Sequence, residues 1–183
     1  MLLLLAACSA DAVTIIKDSA PEAIIIIASD APDSVVYAAK EMQAYLKKAS
    51  GADLPIMTSP PAKTEKSLIY IGQNNELKAR ILDTDGLGYD GFKIVAGDKW
   101  IALFGRDWTG KTQISGITHP FRLSESYTDK FRINRFGETG TLFAVYHFLE
   151  RFCGIRWYMP GELGEVVPRL ATIEIPEKTD IVT

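Results

Sequence analysis

The run Arg156-Trp157-Tyr158, followed by Glu162 and Glu165, is the part of the sequence whose residue types come closest to a chemical site. Trp and Tyr combine a large apolar ring with a polar tip, which suits contact with a sugar. Glycosidases act through a pair of carboxyl groups. A carbohydrate-binding or catalytic surface is therefore one interpretation of this run. A structural seam, where a buried helix returns to a sheet, is the other.

No complete catalytic constellation is found in the sequence. Gly86-Leu87-Gly88 lacks the lysine and the following helix of a phosphate-binding loop, and no Gly-x-Ser-x-Gly elbow occurs. The two histidines, His119 and His147, have no neighbours at metal-ligand spacing, and His147, inside a predicted buried helix, is expected to be structural. Glu162 and Glu165 both flank turn glycines. We therefore predict no catalytic residue, no metal site and no cofactor.

Composition excludes further classes of function. The 183 residues carry a net charge of −3 with acidic and basic residues mixed along the chain, which argues against nucleic acid as a partner. Hydrophobic residues make up 47% and aromatic residues 10%, enough for one compact domain with a sizeable core. No apolar run reaches the roughly 18 residues that a membrane-spanning helix needs.

The N-terminal segment MLLLLAA is followed by Cys8. An apolar run ending in small residues is typical of a signal peptide, and Leu5-Ala6-Ala7-Cys8 resembles a bacterial lipobox, whose cysteine is acylated. We predict that residues 1–8 are a lipoprotein-type signal segment, that Cys8 is the lipidation site and the membrane attachment, and that the protein is extracytoplasmic, periplasmic or at the cell surface. The other interpretation is an ordinary apolar N terminus with a chance cysteine. Cys153 is expected to be an inert core thiol.

Strands and two long helices must position the candidate residues. Residues 23–28 contain four consecutive isoleucines, as expected of a strand buried on both faces. Apolar residues recur at helical spacing over residues 35–49 and again over residues 142–152, each time followed by a glycine. Residues 74–82 are expected to form a short helix and residues 91–104 a hairpin. Met159-Pro160-Gly161-Glu162 is expected to form a type II turn, and Ile173-Glu174-Ile175 the last strand. These elements predict an α/β (α+β) sandwich in which a mixed β-sheet carries the two long helices.

Regular periodicity is lost between residues 106 and 138. Loops this long inside a compact domain are usually functional or disordered. The segment holds Trp108, His119 and several further aromatic and basic residues, a composition suited to a contact loop. Trp108 is therefore a candidate contact residue.

A family resemblance covers nearly the whole chain after the N-terminal segment. GTLFAVYHFLERFCGIRWYMPGELGEVVP, residues 140–168, resembles the closing motif of the N-terminal domain of alpha-glucuronidase-like proteins, and bacterial proteins with a DUF4838 domain carry a similar module. AAKEMQAYLKKASGADLPI resembles the first helix and exit of that module, and SLIYIGQN and DGFKIVAGDKWIALFGRD resemble its middle strands. The resemblance implies the fold of the second domain of beta-hexosaminidases. Residues 108–138 depart from the pattern, because a shorter link is expected there.

The resemblance also implies a function. In that family the module precedes a catalytic barrel that supplies the acid and base, so residues 11–178 are expected to be an accessory domain and residues 179–183 the start of a linker to a catalytic domain absent from this chain. Arg156, Trp157 and Tyr158 are then mainly a helix-to-strand seam, with glycan or interdomain contact as the less favoured role. In the seam we expect Arg156 to pair with a local carboxylate, and Trp157 and Tyr158 to point to opposite faces of the strand. The expected partners are the barrel and a polysaccharide or oligosaccharide. The alternative is a self-standing surface lipoprotein that binds glycans or a partner protein.

Overall fold

The computed structural model describes residues 12–109 and 137–183, and a six-stranded mixed sheet forms its centre. The first half of the chain contains these strands and helices: β1 Ala12–Lys17, β2 Ala20–Pro21, β3 Ala23–Ile26, α1 Asp33–Ser50, β4 Ile56–Met57, β5 Ser67–Ile71, α2 Asn75–Ala79 and β6 Phe92–Gly97. The second half contains β7 Trp100–Gly105, α3 Gly140–Cys153, β8 Arg156–Trp157, β9 Glu165–Val166, β10 Ile173–Pro176 and β11 Asp180–Val182.

The strand order of the central sheet is β11-β6-β7-β5-β3-β4. Strands β4, β3, β5 and β7 are parallel, whereas β6 and β11 run antiparallel to their neighbours. Strands β10, β1 and β2 form a smaller sheet, and β8 pairs with β9. None of the helices in the described residues is long and apolar enough to cross a membrane. The predicted mixed sheet with two long helices is confirmed.

The two faces of the central sheet bury different side chains. Alternate residues such as Ile25, Ile69 and Leu103 face a large core that includes α1 and α3. Ile24 and Ile26 face the opposite side and pack in a smaller cluster with Leu77 of α2. All four isoleucines of the run are buried, so the prediction of a strand covered on both faces is confirmed.

Glycines end both long helices where the sequence predicted. Gly51 follows α1 with φ of +83°, and its N–H donates to the carbonyl oxygen of Lys47 at 2.8 Å. Gly154 follows α3 with φ of +66°. Only glycine adopts this left-handed conformation without cost, which explains why both helices end at these positions. Helix α2 is shorter than the expected residues 74–82.

The C-terminal residues differ from expectation. Residues 179–183 were expected to begin a linker, with β10 as the last strand. Asp180–Val182 instead form β11 at the edge of the central sheet, where Ile181 lies opposite Ile94. Main-chain bonds hold this strand, including one from Thr183 N to the Phe92 carbonyl oxygen at 3.1 Å. A strand of three residues is too short to show a hydrophobic period, so periodicity does not predict it.

The turn after Trp157 also differs in type. A type II turn was expected over Met159-Pro160-Gly161-Glu162, but Gly161 has φ of +89° and ψ of 171°, whereas a type II turn needs ψ near 0° at this position. Cys8 with residues 1–8, and His119 with most of the 108–138 loop, lie outside the described residues.

Candidate functional site

An open cleft of about 1180 Å³ lies at the carboxyl ends of the parallel strands. The loops that follow β3, β4, β5 and β7 contribute its walls, together with the first turns of α1 and the start of α3. In open α/β sheets this edge is where ligands commonly bind, because several loops and helix N termini converge there. The cleft is therefore the first candidate site.

Close packing of the Val35 side chain on the backbone of Gly72 positions α1 relative to β5 at this cleft. A Cβ atom on Gly72, which follows β5, would lie 2.6 Å from Cγ1 of Val35 in the first turn of α1. Gly72 also has φ of +76°, which favours glycine. Its contact with Val35 brings the start of α1 against the end of β5. Ser34 precedes Val35 in the chain, and Asn74 lies two residues after Gly72, so the contact places both residues in the lining of the same cleft.

Three glycines hold the start of α3 against the end of β7. A Cβ on Gly105 would lie 2.5 Å from the carbonyl carbon of Gly140 and 2.6 Å from the carbonyl oxygen of Gly91. Hydrogen bonds from Arg106 N to the Gly91 oxygen and from Gly140 N to the Arg106 oxygen, both 2.9 Å, join the same segments. We call Gly91, Gly105 and Gly140 the glycine crossing.

Asp107 caps the start of α3 beside this crossing. Its carboxylate accepts hydrogen bonds from Thr141 N, at 3.1 Å, and from the Thr141 hydroxyl. The same hydroxyl oxygen accepts from Gly105 N at 3.0 Å. Burial raises the pKa of Asp107 to about 6, although the bonds from Thr141 act in the opposite direction. These contacts give Asp107 a structural role at the cleft floor.

Three buried polar atoms in the cleft wall have no hydrogen-bond partner among the described residues: Oγ of Ser34, a residue only 7% exposed, Nδ2 of Asn74 and Oε1 of Glu138. The Glu138 oxygen is nevertheless paired with a charge, because it lies 2.8 Å from Arg106 Nε, so only the Ser34 and Asn74 atoms lack any partner. Asn74 Oδ1 is occupied, because it accepts from Leu77 N at 2.9 Å and so caps α2. Buried polar groups are rarely left unpaired, so each such atom calls for an explanation.

The cleft is acidic. Among the described residues, its lining includes six carboxylate side chains and two basic ones, Lys78 and Arg106. Arg106 is already paired, with Nε 2.8 Å from Oε1 of Glu138. No group of three or more His, Cys, Asp or Glu in the described residues is arranged to hold a metal ion. The carboxylates of the lining are Asp30, Asp33, Glu76, Asp83, Asp107 and Glu138.

Of the predicted contact residues, only Trp108 lies at this cleft. This residue lines the cleft and is 37% exposed. Its main-chain N–H donates to the Glu138 carbonyl oxygen at 2.8 Å. Arg156, Trp157 and Tyr158 lie after the C-terminal end of α3, whereas the cleft lies at the N-terminal ends of α1 and α3. The structure therefore does not bring the four predicted residues together.

Trp157 belongs to an aromatic cluster between α1 and α3. Its ring makes edge contacts with the rings of Tyr45 and Tyr146, both with centroids 5.1 Å apart. Its Nε1 donates to the Tyr45 hydroxyl at 2.8 Å. The Tyr146 hydroxyl donates to Glu41 at 2.8 Å. Trp157 is half-buried, and these contacts are those of a helix-to-strand seam.

Glu165 completes this seam from β9. Its Oε1 accepts from the Tyr45 hydroxyl at 2.9 Å, and its Oε2 forms an ion pair with Lys48. The hydrogen bonds from Lys48 and Tyr45 lower the pKa of Glu165. We use the name seam cluster for Tyr45, Lys48, Tyr146, Trp157 and Glu165. The ionised Glu165 is thus engaged in structural contacts.

The neighbours of Trp157 have distinct surroundings. Arg156 donates from Nη1 to the carbonyl oxygens of Glu150 and Ile155, and its Nε lies 3.5 Å from Oε1 of Glu150. The predicted pairing with a local carboxylate is confirmed. Tyr158 is 75% exposed. The contact roles of Arg156, Trp157, Tyr158 and Trp108 towards a glycan or another domain stay predictions.

Cys153 and His147, which were expected to be structural, both pack among other side chains. Cys153 is buried, and burial raises the pKa of its thiol to about 12, as expected of an inert core thiol. The half-buried His147 ring packs against Phe92, with centroids 5.5 Å apart. The sequence reading did not single out Ser34, Asn74 or Asp107. A sequence signal for these residues was available, because polar clusters follow the parallel strands β3, β5 and β7, in SDAPDS, GQNNE and GRDW.

Comparison with known proteins supports the fold. No family model and no curated protein matches the sequence. Among solved structures, a family GH115 4-O-methyl-alpha-glucuronidase with specificity for decorated arabinogalactans matches 92% of this chain at a TM-score of 0.54 and 12% identity. A GH138 enzyme targeting pectin rhamnogalacturonan II matches 72% of the chain at a TM-score of 0.39 and 13% identity. The chain spans only 18% and 13% of these two proteins.

Proposed function

We propose that this chain is a non-catalytic accessory domain of an extracytoplasmic, carbohydrate-active protein, and that it supports a glycoside hydrolase barrel located outside this chain. The observation that carries the proposal is the fold match to the GH115 enzyme. That match spans 92% of this chain but only 18% of the enzyme, as expected of one module in a larger hydrolase. The resemblance of residues 140–168 to alpha-glucuronidase-like proteins points the same way. A connection to xylan and to the DUF4838 group is the finer form of the proposal.

The surroundings of Glu162, Glu165 and Asp107 support a non-catalytic role for these three residues. Retaining and inverting glycosidases need two carboxyl groups facing each other across a substrate site. Glu165 is bound by Lys48 and Tyr45, and Asp107 is bound by Thr141. Glu162 is exposed in the turn between β8 and β9. The two glutamates of the opening motif therefore do not form an acid–base pair.

The purified chain tests the catalytic part of this proposal. Assays on aryl-glycosides and on glucuronoxylan fragments should show no turnover. Turnover that survives repurification and disappears in Glu162→Gln or Glu165→Gln would contradict the proposal. The DNA after the codon for Thr183 tests the accessory role: an in-frame barrel-coding sequence supports it, and a stop codon followed by unrelated genes argues for the self-standing lipoprotein.

We also propose lipid attachment at Cys8, on the basis of the segment Leu5-Ala6-Ala7-Cys8. Precursor made in a bacterial host should partition into detergent, and Cys8→Ser should stay unprocessed or be released. A signal segment cleaved without acylation would instead give soluble protein of reduced mass. Identical soluble behaviour of the parent and Cys8→Ser would rule out the anchor while leaving the accessory role intact.

A further inference from the structure

We propose that the cleft at the carboxyl edge of the sheet binds a neutral sugar unit, with Ser34 and Asn74 as hydrogen-bonding residues. This inference deepens the carbohydrate-related function proposed above and rests on it for the choice of ligand class. It places the binding site at the cleft, and not at Arg156-Trp157-Tyr158.

The unpaired atoms define what the ligand must offer. Asn74 Nδ2 is a donor and needs an acceptor, while Ser34 Oγ can donate or accept. Ser34 is more than nine-tenths buried, so leaving its hydroxyl unpaired is costly. An apolar ligand would leave both atoms unpaired. A ligand with hydroxyl groups satisfies both, because each hydroxyl can accept from one residue and donate to another.

The negative charge of the cleft favours some hydroxyl-bearing ligands over others. In the described part of the chain, six carboxylates face two basic side chains in this lining, which repels an anion, and Arg106 is already paired with Glu138. A uronic acid or a phosphorylated sugar is therefore disfavoured. Carboxylates are good acceptors for the hydroxyl protons of a neutral sugar, and the described lining holds four besides Asp107 and Glu138, whose carboxylates are already bound by Thr141 and Arg106. Trp108, which lines the cleft and is 37% exposed, adds an aromatic residue to the site.

A sugar fits this site better than a peptide does. Peptides that bind through their main chain add a strand to a free sheet edge. The unpaired atoms here are side-chain atoms above the strand ends, in the first turn of α1 and at the N-cap of α2. A cluster of separate side-chain donors and acceptors matches the dispersed hydroxyls of a pyranose.

Two substitutions test the site without disturbing the fold. Asn74→Asp keeps an oxygen that accepts from Leu77 N, and Asp is as good an N-cap as Asn, but the Nδ2 donor is lost. Ser34→Ala removes a hydroxyl that has no partner among the described residues, so it should leave the melting temperature unchanged or raise it. Asn75→Asp is the matched control, because Asn75 lines the same cleft but is exposed, so the substitution adds the same charge without removing a buried donor.

Binding is measured on the purified chain by saturation-transfer NMR and titration calorimetry with xylobiose, cellobiose, galactobiose and glucuronic acid. We expect at least one neutral disaccharide to bind and glucuronic acid to bind more weakly. Asn74→Asp and Ser34→Ala should each weaken the binding of that disaccharide by about three- to tenfold, the effect of one lost hydrogen bond, while Asn75→Asp stays within about twofold of the parent.

Three results would overturn the proposal. They are the absence of binding by every neutral disaccharide, stronger binding of glucuronic acid, and equal effects of Asn74→Asp and Asn75→Asp. Each of these outcomes leaves the accessory role untouched, because that role is tested by the coding sequence after Thr183 and by the activity assay.

Discussion

The seam cluster and the cleft lie towards opposite ends of the same helix pair and treat their polar groups in opposite ways. In the seam cluster the polar groups of all three aromatic side chains are hydrogen-bonded. Trp157 Nε1 donates to the Tyr45 hydroxyl, the Tyr45 hydroxyl donates to Glu165, and the Tyr146 hydroxyl donates to Glu41. In the cleft wall, Ser34 Oγ and Asn74 Nδ2 have no partner among the described residues. Aromatic composition drew attention to the seam, but unpaired buried polar atoms are the better guide to a binding site.

The two regions also differ in what holds them together. Backbone atoms meet directly at the glycine crossing beside the cleft, whereas side chains fill the seam. Side chains can shift to relieve a clash, but a backbone held by strands and a helix cannot. Substitutions at the cleft end should therefore be the more damaging ones, although the cleft itself is open.

The largest effect is expected for Gly105→Ala. The new Cβ would lie 2.5 Å from the Gly140 carbonyl carbon and 2.6 Å from the Gly91 oxygen, so the start of α3 would have to move. We expect a loss of at least about 3 kcal/mol in the free energy of unfolding, or no soluble protein. Denaturant melts measure this loss.

Gly88→Ala is the control for this substitution, because a Cβ on Gly88 would meet no atom within 4 Å. Its free energy of unfolding should stay within about 0.5 kcal/mol of the parent. If Gly105→Ala and Gly88→Ala were equally stable, the glycine crossing would not be the rigid contact described here.

The second-largest effect is expected at Trp157. Trp157→Ala removes a half-buried ring and two ring contacts, and we expect a loss of about 3 kcal/mol, the lower end of the range for large aromatic deletions. The adjacent Tyr158 is 75% exposed, so Tyr158→Ala should change stability by no more than about 0.5 kcal/mol. Thermal melts of both variants check the difference. Comparable stability of Trp157→Ala and the parent would refute the structural role of the seam.

Local patterns predicted much of the fold. The isoleucine run, the hairpin and the two helix ends at Gly51 and Gly154 each depend on residues close together in the chain. The different environments of Trp157 and Tyr158 also followed from the alternation of side chains along a strand. Strand β11 escaped prediction because it has only three residues and its position depends on pairing with the distant strand β6.

The cleft could not be predicted in the same way. Ser34 and Asn74 share a wall only because Gly72 contacts Val35, a contact between residues 37 positions apart. Asp107 likewise meets Thr141 across 34 positions. Such contacts depend on the strand order of the sheet, which the positions of single strands in the sequence do not determine.

Asp107 allows the cleft end to be tested by pH. Its pKa is raised from 3.8 to about 6, so the folded state binds the proton more tightly than the unfolded state does. The stability that protonation contributes is present below about pH 4 and is lost as the pH rises through 6. The parent should therefore lose about 2 kcal/mol in the free energy of unfolding between pH 4 and pH 7, a loss that Asp107→Asn does not share. Denaturant unfolding of both proteins across this range measures the loss, and a constant difference between them would contradict it.

The smallest effect, with the opposite dependence on pH, is expected for Glu165→Gln in the seam cluster. Lys48 and Tyr45 lower the pKa of Glu165, so its ionised form stabilises the folded state at neutral pH, and this contribution is lost as the pH falls through the lowered pKa. Gln can still accept from Tyr45 but cannot pair with Lys48. We expect the free energy of unfolding of Glu165→Gln to be up to about 1 kcal/mol below that of the parent at pH 7, less in high salt, and the deficit to shrink as the pH falls through the lowered pKa. Glu162 is an exposed carboxylate three residues earlier, and Glu162→Gln should change the free energy of unfolding by less than about 0.5 kcal/mol over the same pH range. If the deficit of Glu165→Gln grew as the pH fell, the ion pair with Lys48 would not be its cause, and the two ends of the helix pair would no longer differ in the sign of their response to pH.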